Sequence, residues 1–262
     1  MNQKVILITG ASSGIGQACA HELRSRGWTV IGASRRSVAQ GIVMDVNDDA
    51  SVEAGVSEVL AKHGRIDAVL ACAGWGLAGA AEQTLIADAK AQFETNFWGA
   101  VRVTQAVLPI LRRAGGGRVV LMSSIGGVLG IPFQSFYSAS KFALEGYAES
   151  LAYEVSPFKI HVSLIEPGNF KTDFTHSRQM VAIPHDDAYA GVREKAIEVM
   201  ERDEINGADP KDVAEVVARL LASAHPPRRV SVGKFDERVG IVAKRLLPFR
   251  LFEKAAKGSL GV

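Results

Sequence analysis

The chain reads as a single α/β domain on a seven-stranded, parallel, doubly wound sheet with helices on both faces. Seven short apolar runs alternate with helical patterns from one end of the 262 residues to the other. The runs are apolar on consecutive residues, as expected of strands covered on both faces. No repeat, linker or low-complexity stretch breaks the rhythm. Such alternation implies right-handed βαβ crossovers.

In order, strand one (Val5–Ile8) enters a glycine-rich turn and a helix from about Gly14 to Arg26. Strands two (Thr29–Ala33) and three (Gly41–Met44) precede a helix over Ala50–His63. Strand four (Ala68–Ala71) is followed by a long helical pattern, Asp88–Arg113, and strand five (Arg118–Met122) by another, Ser135–Val155. Strand six is His161–Ile165; a helix over Pro210–Ala222 and strand Arg229–Val232 complete the sheet.

Two regions depart from the alternation. Residues 174–208, with a helix around Tyr189–Arg202, form an insertion expected over the carboxyl ends of the strands, where ligands bind in such sheets. They are read as a substrate lid. The tail, 235–262, mixes Leu246, Leu247, Phe249, Leu251 and Phe252 with Lys244, Arg245, Arg250, Lys254 and Lys257. It could rest on an anionic membrane, cover the cleft or dock on a neighbouring subunit. Membrane contact is the least favoured of these, because the tail is short and Pro248 interrupts it.

Composition narrows the classes. At 27.9 kDa and 47% hydrophobic residues the chain can bury a full core. A net charge of +2, without a basic stripe interleaved with aromatics, argues against nucleic acid. Cys19 and Cys72 read as small buried hydrophobes in a reducing compartment, and the six histidines lack ligand spacing, so no metal is expected. No signal-type segment precedes Val5 and no apolar run approaches the ~20 residues of a membrane span, so the expectation is cytoplasmic.

After strand one, Gly10, Gly14 and Gly16 form G-x-x-x-G-x-G, with Ser12, Ser13 and Ile15 between them. Glycine lets the backbone turn sharply and approach a pyrophosphate, whose charge a helix N-terminus favours. The spacing differs from G-x-G-x-x-G, and the bland reading is an ordinary strand-to-helix turn. An NAD site of this kind wants a carboxylate ~20 residues on, to accept from the ribose 2′-hydroxyl. Here stand Ser34, Arg35 and Arg36. An arginine can instead pair with a 2′-phosphate, so Arg35 points to NADP(H), while Arg36 reads better as a solvated turn. Asp45 and Val46, ending strand three, either flank an adenine ring or shape the loop.

Tyr137 and Lys141 stand four apart and share a helix face. A tyrosine titrates near ~10, and an ammonium beside it is expected to lower that value toward the range of acid–base catalysis. Ser124, after strand five, could hold a substrate oxygen beside the phenol; Ser123 competes, and only the thirteen-residue spacing to Tyr137 selects its neighbour. Each residue alone has a packing explanation, but their joint occurrence after a glycine loop points to a redox enzyme.

With these residues in hand, the chain resembles the short-chain dehydrogenase/reductase family over roughly residues 4–172 plus the final helix and strand. The glycine loop, Asp45-Val46, Asn96, Ser124, Tyr137-x-x-x-Lys141 and Pro167-Gly168-x-x-x-Thr172 fall in family order, and the family's Rossmann-type fold agrees with the strand pattern. The resemblance implies Tyr137 as general acid/base and Lys141 as ribose ligand and tuner of the phenol. It further implies Ser124 as carbonyl orienter, Asn96 as holder of a water relay and Thr172 as contact of the nicotinamide carboxamide. Pro167, Gly168 and Phe170 would lie along the cofactor with Ala73 and Gly74. Where the family usually has Asn-Asn-Ala-Gly this chain has Ala71-Cys72-Ala73-Gly74, a departure expected to alter sheet stability or cofactor affinity.

The segments 124–133, 137–147 and 163–168 look like the 17β-hydroxysteroid and retinol dehydrogenase branch, hinting at a bulky apolar substrate. Trp75, Val128, Phe133 and Phe136 could line its pocket with Ser124 and Tyr137, or pack the core instead. The leading expectation is an NADP(H)-dependent oxidoreductase of an apolar alcohol or ketone. A reductase of a carrier-bound or biosynthetic β-ketone and a non-catalytic NADP-sensing protein are the alternatives. The resemblance implies a homodimer or homotetramer through the helices near 88–113 and 135–155.

Overall fold

All seven expected strands pair in one parallel sheet in the computed structural model, which describes residues 3–36, 41–260 and 262. They are β1 (Val5–Thr9), β2 (Thr29–Ser34), β3 (Gly41–Val43), β4 (Ala68–Ala71), β6 (Gly117–Met122), β7 (Ile160–Pro167) and β9 (Arg229–Val232). The order is β3-β2-β1-β4-β6-β7-β9. The connection reverses direction between β1 and β4, which opens a crevice at the carboxyl ends of those strands. Met44, expected inside the third strand, lies just beyond it.

Ile6, Leu7 and Ile8 have no exposed surface because both sheet faces are covered. Leu7 packs with α2 (Asp49–His63), α4 (Ala100–Arg113) and α5 (Ser135–Val155) on one face. Ile6 and Ile8 pack with α1 (Gly14–Ser25) and α8 (Pro210–Ala222) on the other. Alternate residues of one strand thus serve opposite layers, which explains why the strands read as unbroken apolar runs.

The long helix expected over Asp88–Arg113 is broken. It comprises α3 (Ile86–Phe93), a π-helical turn over Glu94–Gly99, and α4. Close packing accompanies the break: a Cβ at Gly99 would lie 2.7 Å from the Val46 side chain. The turn carries Asn96, and π-turns often mark functional positions.

The insertion holds α6 (Phe174–Ser177), β8 (Gln179–Met180) and α7 (Ala190–Ile205). Strand β8 pairs in parallel with β5 (Leu77–Ala78), which ties the insertion to the loop after β4. The tail folds into α9 (Phe235–Leu246) and α10 (Phe249–Leu260). Glu237 of α9 accepts hydrogen bonds from the Asn169 backbone N–H (2.9 Å) and Nδ2 (2.7 Å). Lys244 donates to the Val128 carbonyl. Among the described residues no helix is long and apolar enough to cross a membrane, and no cluster of metal-ligating side chains occurs.

Candidate active site

A cavity of about 710 Å³ runs across the carboxyl ends of the strands. Every residue singled out for the cofactor in the sequence lines it, from Gly10 to Thr172. At one end, Gly10 adopts φ +68°, and a Cβ there would sit 2.9 Å from the Ala73 backbone. A Cβ at Gly16 would collide with the Gly10 carbonyl oxygen. Only glycine lets this loop close onto α1, whose N-terminus opens toward the cavity with the exposed Ser12 and Ser13. Bare backbone, hydroxyls and the positive end of a 12-residue helix fit a pyrophosphate.

Arg35 and Arg36 are both exposed on the cavity wall at the end of β2, and the Ser34 hydroxyl donates to the Arg36 carbonyl. Arg36, read from sequence as a mere turn residue, therefore shares the cleft with Arg35. Val46 is buried beside them. Asp45 shapes its loop by accepting the Asn47 N–H at 3.0 Å, yet also lines the cavity, so both of its readings have a structural counterpart.

At the other end, α5 presents Tyr137 and Lys141, both buried, toward Ser124 at the start of the loop after β6. Ser124 Oγ accepts the Gly126 N–H at 3.0 Å and shares the surroundings of Gly126 with the Tyr137 ring: a Cβ there would meet the two at 3.3 and 3.1 Å. Ser123 faces Glu145 and Gly127 instead, which separates the two competing serines. Lys141 Nζ donates to the Met122 carbonyl at 2.8 Å and stands 5.8 Å from the Tyr137 ring centroid.

The electrostatics correct one expectation. Burial pushes the phenol up to about 12, opposed by the neighbouring Ser124 hydroxyl; Glu204 raises it further and Arg178 lowers it. Lys141 is not among the groups that shift it. Burial in turn pulls the Lys141 ammonium down to about 8. The lysine is held by a backbone carbonyl instead of the phenol, and low-dielectric surroundings disfavour both charged forms. By the protein's own groups the tyrosine is a protonated acid at neutral pH.

Asn96 is fully buried behind the cavity and does not line it. Its Oδ1 accepts the Trp75 N–H at 2.9 Å, and its Nδ2 donates to the Trp75 carbonyl at 3.0 Å and to Ser140 Oγ at 3.3 Å. It clamps the loop after β4 onto α5. A Cβ at Gly74 would meet Asn96 Oδ1 at 3.1 Å and Lys141 Nζ at 3.7 Å, so that loop also needs its small residue. The Cys72 and Ala73 backbone N–H groups both donate to Thr9 Oγ1, at 3.1 and 3.2 Å. Burial pushes the Cys72 thiol up to about 11 and that of Cys19 higher still, so neither is a nucleophile.

The substrate end corrects three further residues. Trp75 lines the cavity, but Val128, Phe133 and Phe136 do not; Ile125, Ile131, Gln134 and Phe174 take their place. Phe133 adopts φ +57°, its carbonyl accepts the Gly79 N–H, and its ring packs edge-on to Tyr189 at 6.3 Å. Phe136 is turned about 100° around the helix from Tyr137. Val128 is held from behind by Lys244. Phe174 packs edge-to-face on Tyr137 with centroids 5.8 Å apart.

Gln134 is a lining residue that the motifs do not single out, although its place three residues before Tyr137 at the start of α5 is a signal that helix periodicity offers. It is buried, and its Nε2 has no hydrogen-bond partner among the described residues. Arg178 and Glu204, a mostly buried ion pair from the insertion, carry no sequence signal at all.

A doubly wound sheet with a glycine-cradled cleft and a serine–tyrosine pair at its far end defines an oxidoreductase. The chain belongs to the short-chain dehydrogenase family, whose model (short chain dehydrogenase) matches residues 4–181. It is 38% identical over 263 residues to a 3-ketodihydrosphingosine reductase of Bacteroides thetaiotaomicron, covering 98% of each chain. It is 34% identical to retinol dehydrogenase 8 of Bos taurus, over 86% of this chain and 80% of that one, consistent with the branch seen in its motifs. A solved short-chain dehydrogenase from Streptomyces avermitilis superposes with a TM-score of 0.84 at 34% identity, over 98% of both chains.

Proposed function

We propose that the protein interconverts a ketone and an alcohol on a bulky apolar molecule, with NADP(H) and with Tyr137 as general acid/base. The observation that carries this reading is the placing of Ser124 beside the buried phenol of Tyr137 at the end of the cleft to which Ile125, Ile131 and Phe174 contribute apolar side chains. A reduced nicotinamide dinucleotide, which the glycine loop with Gly74, Pro167, Gly168 and Thr172 would hold, would supply the hydride for the carbonyl carbon. Ser124 hydrogen-bonds the carbonyl oxygen, and Tyr137 delivers a proton to that oxygen as it becomes an alkoxide. Lys141, held by the Met122 carbonyl, would offer a donor for the cofactor ribose, while Asn96 holds the Trp75 loop that closes the site. A phenol kept protonated by burial suits ketone reduction.

One domain carries this chemistry, with residues 174–208 as lid, and it assembles as a homodimer or homotetramer in the cytoplasm. The exposed Trp98 and Tyr153 on the flanks of the π-turn and α5 support such pairing.

Two names among the relatives, 3-ketodihydrosphingosine reductase and retinol dehydrogenase, denote lipid-like substrates. A second reading, reduction of a biosynthetic β-ketone, is favoured by Gln134: its unpartnered Nε2 offers a donor to a second oxygen near the reacting carbonyl. A panel of 3-ketodihydrosphingosine, steroid and retinoid carbonyls, ketoacyl esters and simple ketones, followed by NADPH absorbance, decides between them. Reduction of a long-chain or polycyclic carbonyl is expected, and a carrier-type ketoacyl ester turned over far faster would favour the second reading. In the same assay Arg35→Asp should lower the NADP/NAD ratio of kcat/KM about tenfold or more, the loss of one charge-assisted bond. An unchanged ratio would remove the basis for NADP(H) preference. No turnover by any member, with NADPH bound, would leave the NADP-sensing alternative.

A further inference from the structure

Helix α9 turns an apolar face away from the protein. Phe235, Val239, Val242 and Leu246, spaced four, three and four apart, form one stripe and are 82%, 45%, 52% and 77% exposed. Its opposite face is pinned: Ile241 is buried, Glu237 is bonded to Asn169 and Lys244 to Val128. The stripe is therefore a fixed surface, and exposed apolar residues continue through Leu247, Phe249 and Leu251. A helix normally turns its apolar face to the core, and an outward apolar stripe of this length marks a contact surface.

Charge selects the partner. Residues 235–262 carry six basic and three acidic residues, a net +3, which leaves −1 for residues 1–234. Arg238 and Arg245 line one side of the stripe, with Asp236 on the other; Arg250 follows it, and among the described residues none of the three arginines is in an ion pair. A second copy placed on this face by a two-fold axis would set two cationic tails against each other. An anionic surface would be complementary to the net +3 of this segment, and an apolar stripe with basic residues along one side suits a helix that lies in a lipid interface.

We propose that α9 and the start of α10 dock the protein on an anionic lipid bilayer, lying on the surface without crossing it. The opposite face of α9 adjoins the substrate end of the cleft, because Lys244 holds the loop that also supplies Ile125 and Ile131. The tail, whose composition left membrane contact the least favoured reading, thus becomes a membrane-facing element once its helices are seen.

Sedimentation of the full chain with phosphatidylglycerol or phosphatidylcholine vesicles tests this without any substrate, so its outcome is independent of the proposed chemistry. Binding is expected to phosphatidylglycerol only, to weaken severalfold at high salt, and to fall about tenfold or more in Phe235→Glu/Leu246→Glu. Circular dichroism and thermal melting check that the variant is folded; should it not be, Arg245→Glu/Arg250→Glu should abolish the salt-sensitive part of binding. No binding to phosphatidylglycerol, or equal binding to both lipids and by the variants, would overturn the proposal. So would an absence of vesicle binding coupled with dissociation of an oligomer in the Phe235→Glu/Leu246→Glu protein, which would assign the stripe to a second copy.

Discussion

Replacing Tyr137 with phenylalanine is expected to lower kcat for ketone reduction by about 10²–10⁴-fold while leaving NADPH affinity within about twofold. Phenylalanine keeps the ring that packs edge-to-face on Phe174, so the cavity wall and the fold persist. What is lost is the one hydroxyl that can both touch Ser124 and pass a proton to the substrate oxygen. Steady-state NADPH absorbance reads the first quantity and a fluorescence titration of bound NADPH the second. The wild-type pH profile should carry the same signature. Burial raises the phenol to about 12, so the acid form persists through neutral pH. Reduction should stay level there and fall only in alkali, while alcohol oxidation, which needs the phenolate, should rise with pH. A Tyr137→Phe variant that reduces the same ketone at the wild-type rate would exclude the phenol as proton donor.

Lys141→Met should likewise abolish most turnover, yet yield a protein that melts at a higher temperature near neutral pH. Burial pulls the ammonium down from its ordinary 10.5 to about 8, so the folded chain holds that proton less tightly than the unfolded chain does. Between those two values the unfolded state binds more protons, and stability rises with pH across the window. Below it, the folded protein carries a buried charge at a cost. Methionine fills the same slot without the charge but leaves the Met122 carbonyl without its donor, which takes back about 1 kcal/mol. The net gain should be about 1–2 kcal/mol, or several degrees in Tm, and should shrink near pH ~10 where the lysine is already neutral. A Lys141→Met variant that melts lower at neutral pH would show that the ammonium stabilises the site. The arrangement is a trade of stability for function of the kind expected at active sites.

The strands were legible because burial on both faces leaves no room for polar alternation: Ile6, Leu7 and Ile8 serve two layers at once. Tyr137 and Lys141 were legible because helix periodicity alone puts residues four apart on one face. The π-turn was not, since the shift in its hydrogen bonding accompanies the close approach of Gly99 to Val46, from a distant segment. The pocket aromatics failed for a similar reason. Phe133 looked apolar and near the site, but a left-handed backbone aims its ring at Tyr189. The Arg178–Glu204 pair joins residues 26 apart through the fold of the insertion, which no local pattern encodes. In the tail, composition supplied the residues but not which face of α9 the protein would leave uncovered.

A crystal structure with NADP⁺ and a product alcohol bound tests the central claim most directly. The alcohol oxygen should lie within about 3 Å of both Tyr137 Oη and Ser124 Oγ, with the carbinol carbon facing the nicotinamide ring. An alcohol oxygen bound to other groups, with the Tyr137 hydroxyl turned from the ring, would contradict it.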